Sequence, residues 1–280
     1  MNEPRLVRFS SRDGLPLAGY DWQGPAERTP LLCLPGLCRT GMDFGQLAAR
    51  HAGTRRVVAL DYAGHGESGR AESPARYRAD LGLRDVLDAC AALHLYRAVV
   101  VGTSLGGLMA ILLSVLRPSL LRGIVLNDIG PQVETAGLEY VQAFAGTDPA
   151  LATLEEAVIY LQKAVPPLGL DANGWRRFAA LTFARGADGL LHPRWDVRIA
   201  EAARAGAPTG LWQVWQGVSE LPVLLIWGEA SKILSAATVG RMRREKRDLQ
   251  VLSLPGIGHA PSLESPRAAP ALDGFLDAIP

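Results

Sequence analysis

The sequence lacks the patterns by which proteins bind membranes and nucleic acids. No apolar run in its 280 residues approaches the length that spans a bilayer. Residues 1–12 are polar and charged, without the apolar centre of a secretory signal. The formal net charge is only +1, and one short basic run, at 241–247, is expected to form a solvated helix face. We therefore expect a cytoplasmic protein with no membrane partner and no nucleic-acid partner.

Cysteine is scarce, and its three positions are not spaced as metal ligands are. Cys33 lies in an apolar predicted strand and Cys90 in a helical pattern, while Cys38 follows the first of these in a loop. An odd number of cysteines in such surroundings is typical of reduced, mostly buried thiols. The sequence thus predicts no disulfide framework, no metal and no organic cofactor.

Internal repeats and low-complexity linkers are also missing. The chain is 48% hydrophobic and 20% charged, which is sufficient for a substantial apolar core. A length of 280 residues fits one large domain, or a core domain that carries an insertion.

The apolar segments alternate between strand-like and helix-like patterns. Two predicted strands, 6–9 and 15–22, flank Asp13-Gly14, a pair typical of a β-hairpin. Further strands are predicted at 30–34, 56–61, 99–101, 122–128, 222–227 and 249–254, and helices at 43–50, 77–93, after residue 104 and at 266–279. This alternation predicts an α/β fold around a mostly parallel sheet.

Residues 131–218 interrupt the alternation. The segment is helix-like, shows no convincing strand and holds four of the six tryptophans, Trp175, Trp195, Trp212 and Trp215. Since open α/β sheets bind ligands at the carboxyl edge of their strands, an insertion there would cover the site. We therefore expect a core of residues 1–130 and 219–280 with a helical lid at 131–218. The tryptophans are expected to anchor this lid, with one or two lining an apolar acyl pocket.

A serine between two glycines follows the strand 99–101. The pattern G-x-S-x-G at 102–106 predicts a sharp turn from strand to helix, in which Ser104 has a strained backbone and an exposed hydroxyl. Helical N–H groups would converge beside it, which suits a nucleophile whose intermediate carries an oxyanion. The alternative is a glycine-rich turn whose serine only caps a helix.

Four motifs in order resolve this alternative. They are L-P-G-L at 34–37, D-Y-A-G-H-G-E-S at 61–68, G-T-S-L-G at 102–106 and G-H-A-P at 258–261. With them, nearly the whole chain resembles the α/β-hydrolases, and N-D-I-G-P at 127–131 is similar to one subgroup of that family. The resemblance implies a mostly parallel sheet flanked by helices, with an inserted helical lid.

A serine attacks a carbonyl only when a base accepts its proton. The order of the motifs favours His259, which follows the last predicted strand, as the base for Ser104. His65 is an alternative, but its G-H-G loop is structural in the family that the chain resembles. Three further histidines are expected to be ordinary surface or capping residues: His51, His94 and His192.

By the same resemblance, the oxyanion hole consists of the backbone N–H groups of Leu37 and Leu105. Relatives often carry His-Gly where this chain has Pro35-Gly36, but a backbone donor at Leu37 does not depend on that side chain. Cys38 and Arg39 are expected near the mouth of the site, either tuning the choice of substrate or packing.

The sequence differs from the family pattern at the third member of the catalytic triad, the acid. Relatives usually carry an Asp in the loop after the strand 222–227, where this chain has Lys232. An ammonium cannot accept a hydrogen bond from an imidazole and opposes its positive charge. Lys232 itself is then either a desolvated base, a ligand for an anionic group, or a plain exposed lysine.

Three explanations of the missing acid stay open. Asp128 ends the strand 122–128, where some α/β-hydrolases, haloalkane dehalogenases among them, place their acid, and we favour it on geometry. Glu229 has a longer side chain at a different offset. The third explanation is an impaired site without a complete triad.

The resemblance and the motifs together predict a serine hydrolase of small carboxylic esters or thioesters, acting on a small-molecule substrate through an acyl-enzyme. The same residues would support lactone, amide or carbon–carbon bond hydrolysis and acyl transfer. A different alternative is a binding protein that has lost its activity, with Lys232 as the mark of that loss. The sequence predicts no oligomeric state.

Overall fold

A computed structural model of the protein describes residues 3–205 and 210–280; residues 206–209, within the predicted lid, lie outside the described part. The strands are β1 (Arg5–Ser10), β2 (Pro16–Trp22), β3 (Leu31–Leu34), β4 (Val57–Asp61), β5 (Ala98–Thr103), β6 (Leu121–Asn127), β7 (Phe183–Arg185), β8 (Leu191–Pro193), β9 (Val223–Gly228) and β10 (Gln250–Leu254). The helices are α1 (Gly45–His51), α2 (Ala79–Ala92), α3 (Leu105–Leu116), α4 (Thr135–Ala145), α5 (Leu154–Ala164), α6 (Ala172–Thr182), α7 (Ile199–Ala205), α8 (Trp212–Trp215), α9 (Ala236–Glu245) and α10 (Ala268–Asp277).

Eight of the strands form one sheet in the order β1-β2-β4-β3-β5-β6-β9-β10. The two pairs at one edge, β1 with β2 and β2 with β4, are antiparallel, and every other pair is parallel. The β1–β2 hairpin turns at Gly14, whose φ of +85° only glycine adopts at no cost. The predicted α/β fold with a mostly parallel sheet is confirmed.

The central strands are apolar along their whole length because helices cover both faces of the sheet. In β3, Leu32 and Leu34 face the cluster that contains α2 and α3, whereas Leu31 and Cys33 face the cluster with α1 and α10. All four side chains have no exposed surface. Because both faces of these strands are buried, their sequences are continuous apolar runs and do not alternate between apolar and polar residues.

The inserted segment, residues 131–218, lies between the neighbouring strands β6 and β9, and its described residues form five α-helices and a small hairpin. The expectation that it holds no strand is wrong, because β7 and β8 pair in antiparallel fashion, with Phe183 opposite Pro193. Strands of three residues are too short to show alternation in the sequence. The turn signal Asp188-Gly189 between them was the feature that could have revealed the hairpin.

The tryptophans of the inserted segment serve packing. Trp195 is buried and donates its indole N–H to the carbonyl of Ala145 at 2.9 Å. Trp215 is buried in the same apolar cluster as α3, and Trp212 lies under the guanidinium of Arg241 at 3.8 Å. The bond of Trp195 lies within the inserted segment, whereas the contacts of Trp212 and Trp215 tie the segment to the core and use part of the basic run at 241–247 for packing.

The turn between β5 and α3 requires its two glycines. A Cβ on Gly102 would lie 2.5 Å from the backbone of Gly106, and a Cβ on Gly106 would lie 2.0 Å from the carbonyl oxygen of Leu34. Both distances are far below van der Waals contact, so helix α3 approaches strands β3 and β5 more closely than any larger residue permits. This approach holds Ser104 at the strand end.

A pair of Gly→Ala variants tests this packing. Gly106→Ala places a methyl group against backbone that cannot move, and we expect a loss of at least about 2–3 kcal/mol in the free energy of unfolding. Gly274→Ala, on the exposed face of α10 with nothing near its Cβ, should instead stabilise by about 0.5–1 kcal/mol. Urea unfolding curves measure both, and equal stability of the two variants would contradict the close approach.

The cysteines give a second prediction. Cys33, Cys38 and Cys90 are free and buried, and burial raises the pKa of Cys38 and of Cys90 to about 12. Because the thiolate is the reactive form, no thiol of the native protein should react rapidly with Ellman's reagent at pH 8. All three should react once the protein is unfolded in guanidinium chloride. Rapid release of chromophore from the native protein would refute this burial.

Candidate active site

Ser104 stands at the carboxyl end of β5 with φ +51° and ψ −114°, a strained conformation for a residue with a side chain. Its backbone N–H donates to the carbonyl of Asn127 at 3.1 Å, which ties the turn to the end of β6. The predicted strand-to-helix turn is present, and helix α3 begins at the next residue. The strain is thus held by the pairing of two buried strands.

His259 follows β10 and connects two side chains. Its Nε2 lies 2.9 Å from Ser104 Oγ, and its Nδ1 lies 2.8 Å from Asp128 Oδ2. The structure therefore brings together the three residues that the sequence analysis favoured. A carboxylate on Nδ1 selects the tautomer in which Nδ1 carries the proton, so that Nε2 can accept the proton of the serine hydroxyl.

Asp128 has no exposed surface and also takes a positive φ, +56°. Its second carboxylate oxygen, Oδ1, accepts the N–H of Gly228 at 2.9 Å. Its own N–H donates to the carbonyl of Ile226 at 2.8 Å, so both ends of the residue are bonded to β9. A buried carboxylate with both oxygens bonded is held in one orientation toward His259.

The other candidate for the acid, Glu229, makes no hydrogen bond with His259. Glu229 is exposed, and its carboxylate makes no hydrogen bond with the described residues. Lys232 is exposed as well and lines neither of the two cavities described below. Its backbone carbonyl touches the inserted segment, where a Cβ on Gly137 would lie 2.2 Å from it. Of the three interpretations of Lys232, its exposure outside both cavities favours a plain exposed lysine.

Leu37 and Leu105 are both close to the serine: Leu105 follows it in the chain, and Leu37 lines both of the cavities described below together with it. Within residues 3–205 and 210–280, neither N–H donates a hydrogen bond to the protein. Leu105 is the first residue of α3, so its N–H belongs to the positive end of the helix dipole. Two unpaired donors beside a serine hydroxyl are able to bind a negative oxygen.

The loop at 61–68 supports the loop that carries Leu37. His65 Nε2 lies 2.6 Å from the carbonyl oxygen of Leu37, and Tyr62 donates its hydroxyl to the carbonyl of Pro35 at 3.1 Å. Asp61 anchors the supporting loop by accepting the N–H groups of Gly41 and Glu67. The sequence analysis gave His65 only a structural role, without naming what it holds.

A cavity of about 450 Å³ opens on Ser104 and His259. Core residues line one side of it, and the inserted segment lines the other with Tyr140, Phe144 and Phe178. None of the tryptophans lines it, so the expectation that one or two tryptophans line the pocket is wrong. Their indoles pack the inserted segment against itself and the core instead.

Two ion pairs stand at this cavity. Arg39 bonds to Asp43 and to Thr182 Oγ1 and lies 3.9 Å above the ring of Phe178. It therefore links the core to the inserted segment, and its donors are largely occupied.

The second pair crosses the same boundary. Arg177 of α6 lies 3.3 Å from Glu264 of the core. Burial raises the pKa of Glu264, and the Arg177 guanidinium opposes that rise.

A second cavity, of about 80 Å³, is also lined by the serine. Ser104, Leu37 and Val141 line both cavities, whereas His259 lines only the large one and Leu105 only the small one. Ser104 therefore stands at the junction of two spaces of very different size.

No group of three or more His, Cys, Asp and Glu side chains among the described residues is arranged to hold a metal ion. No helix in that part of the chain is long and apolar enough to cross a membrane.

Comparison with known proteins agrees with this architecture. The model of the alpha/beta hydrolase family matches residues 31–271. A 3-hydroxybutyrate-oligomer hydrolase from Cupriavidus necator is 33% identical over 279 residues, covering 94% of each chain. A 2-(acetamidomethylene)succinate hydrolase from Mesorhizobium japonicum is 30% identical over 251 residues, covering 89% of this chain and 88% of its own.

The same holds for solved structures. An alpha/beta hydrolase from Novosphingobium aromaticivorans superposes with a TM-score of 0.94 at 34% identity, over 100% of both chains. With the family model matched across most of the chain, and relatives that are hydrolases over nearly their full length, this protein belongs to the α/β-hydrolase family and is a hydrolase.

Proposed function

We propose that this protein is a serine hydrolase that cleaves small carboxylic esters or thioesters through an acyl-enzyme. The observation that carries the proposal is the position of His259, within hydrogen-bond distance of both Ser104 Oγ and Asp128 Oδ2. This arrangement matches nucleophile, base and acid in the order that serine hydrolysis requires. In this proposal the inserted segment serves as a lid whose aromatic side chains form one wall of the large cavity.

The reaction begins when Ser104 Oγ attacks the ester carbonyl and His259 Nε2 accepts the hydroxyl proton. The carbonyl oxygen becomes negative and is held by the N–H groups of Leu37 and Leu105. His259 then gives the proton to the leaving oxygen or sulfur, and the carbon–heteroatom bond breaks. A water molecule, deprotonated by the same imidazole, attacks the acyl-enzyme and releases the acid and the free serine.

Asp128 stabilises the imidazolium that forms in both steps. It is buried and bonded at both oxygens, so it stays in place while the charge on the ring appears and disappears. Lys232 takes no part in this cycle. A binding-only protein would need no such alignment of three side chains, and the alignment therefore favours the enzyme.

Esters of short hydroxy acids are the substrates that we infer should be tested first. A relative that covers nearly the same length is named as a hydrolase of 3-hydroxybutyrate oligomers, which are chains of such esters. A cavity of about 450 Å³ lies in the size range of small-molecule sites and is large enough for one or two of these units.

The nucleophile is tested by Ser104→Ala. We expect steady hydrolysis of p-nitrophenyl butyrate by the natural chain and a loss of at least about 10⁴-fold in kcat for the variant, since no other group takes the acyl chain. Stopped-flow absorbance at 400 nm gives both the burst and the steady rate. Equal rates in the two proteins would refute the serine mechanism, and ligand binding without turnover in the natural chain would favour the binding-only alternative.

The acid is tested by three variants measured side by side. Asp128→Asn keeps the shape of the side chain but no longer selects the reactive tautomer, and we expect kcat to fall about 10³- to 10⁴-fold. Glu229→Gln and Lys232→Asp change exposed side chains and should leave kcat within about twofold.

Circular dichroism and thermal melting of each variant control for folding. A full rate in Asp128→Asn would assign the acid elsewhere. A loss in Glu229→Gln, or a large gain in Lys232→Asp, would show that the loop after β9 contributes to catalysis.

A further inference from the structure

The two cavities at Ser104 differ in which catalytic group they contain. The large one holds His259 and the small one holds Leu105, and the serine side chain is common to both. An ester that reacts with the serine has an acyl chain and a leaving group, and these two parts extend from the reacting carbon in different directions. The difference between the cavities therefore determines which half of the substrate lies where.

Proton transfer sets the direction. In the tetrahedral intermediate the carbon carries the serine oxygen, the oxyanion, the leaving atom and the acyl chain. The leaving atom takes its proton from His259 Nε2, so it must lie on the side of that imidazole. The oxyanion is directed at the N–H groups of Leu37 and Leu105. The acyl chain is left with the direction away from His259, toward the small cavity.

We propose that the small cavity binds the acyl chain and the large cavity binds the leaving group, so that the enzyme accepts short acyl chains on large leaving groups. The inference rests on the serine mechanism proposed above and adds the substrate class to it. The residues that bound the acyl chain are then specificity determinants of this chain.

The walls of the small cavity fit an alkyl chain. Leu108, Ile129, Val133 and Leu138 line it, and their side chains are hydrocarbon. The hydroxyl of Tyr77 is already bonded, donating to Asp196 at 2.7 Å and accepting the N–H of Ala71 at 2.8 Å. A charged or strongly polar acyl group would lose its hydration there without new hydrogen bonds, which disfavours it.

The volume limits the length of that chain. A protein cavity of about 150 Å³ lined by apolar residues accommodates benzene, with six carbon atoms. By proportion, a cavity of about 80 Å³ accommodates about three carbons beyond the carbonyl, which corresponds to a butyryl group. The large cavity has more than five times this volume, so it suits a bulky leaving group.

The first test is an acyl-length series on the unmodified protein: p-nitrophenyl acetate, butyrate, hexanoate and octanoate. We expect kcat/KM to be highest for acetate or butyrate and at least about tenfold lower for octanoate, because the methylene groups beyond the third do not fit in the small cavity. An octanoate value equal to or above that of butyrate would overturn the inference. If no ester in the series gave serine-dependent hydrolysis, the proposed function itself would fail.

A matched pair of variants tests the assignment of the two cavities. Ala203 of α7 lines only the small cavity and Ala180 of α6 only the large one, and both belong to the inserted segment. Ala203→Leu should reduce the butyrate-to-acetate ratio of kcat/KM about tenfold. Ala180→Leu should leave that ratio within about twofold and instead lower the rate for a butyrate ester of a larger phenol.

Ratios within one protein cancel differences in folded fraction, and thermal melting confirms that each variant is folded. If Ala180→Leu changed the acyl ratio and Ala203→Leu did not, the two halves of the substrate would be bound the other way round. Ester hydrolysis would survive that outcome, so the two failures are distinguishable.

Discussion

The hydrogen bonds that His259 makes with Asp128 and with Ser104 depend on one feature of the sheet, the common edge at which its parallel strands end. Strands β5, β6 and β10 deliver the serine, the aspartate and the histidine to that edge. Helices bury both faces of these strands, so the edge is the part of the sheet left open to a ligand. The proposed reaction needs the serine, the aspartate and the histidine at one edge of the sheet, whichever ester is the substrate.

Strain at the edge is held by the same strands. Ser104 and Asp128 both have positive φ, which costs a residue with a side chain about 1–2 kcal/mol. Their N–H groups donate to Asn127 and Ile226 of the neighbouring strands, and Asp128 is further held by Gly228. The sheet therefore stabilises two backbone conformations that neither residue would adopt alone. The same two turns direct the hydroxyl and the carboxylate toward one imidazole.

The order of the strands is consistent with the proposal that Asp128, and not the loop that carries Lys232, supplies the acid. β6 and β9 are hydrogen-bonded neighbours, so the ends of both strands lie beside the loop that carries His259. A carboxylate at either end can reach Nδ1, and Asp128 occupies that position from β6. The loop after β9 is then free to carry a lysine, which is exposed and whose backbone carbonyl lies close to Gly137 of the inserted segment.

The sequence by itself determined the features that depend on near neighbours in the chain. The turn at Ser104, the hairpin at Gly14, the apolar strands and the loop of His259 all follow from local patterns of glycine, β-branched residues and spacing. For the carboxylate beside His259 the sequence favoured Asp128 but left Glu229 and an impaired site open, because that choice depends on which strand ends are adjacent in space. The short β7–β8 hairpin was not predicted because strands of three residues are too short to show an alternation of apolar and polar side chains. Only the tertiary structure decided the two cavities at Ser104, since their walls are built by core strands and by a segment inserted between them, and their volumes depend on how the two parts pack.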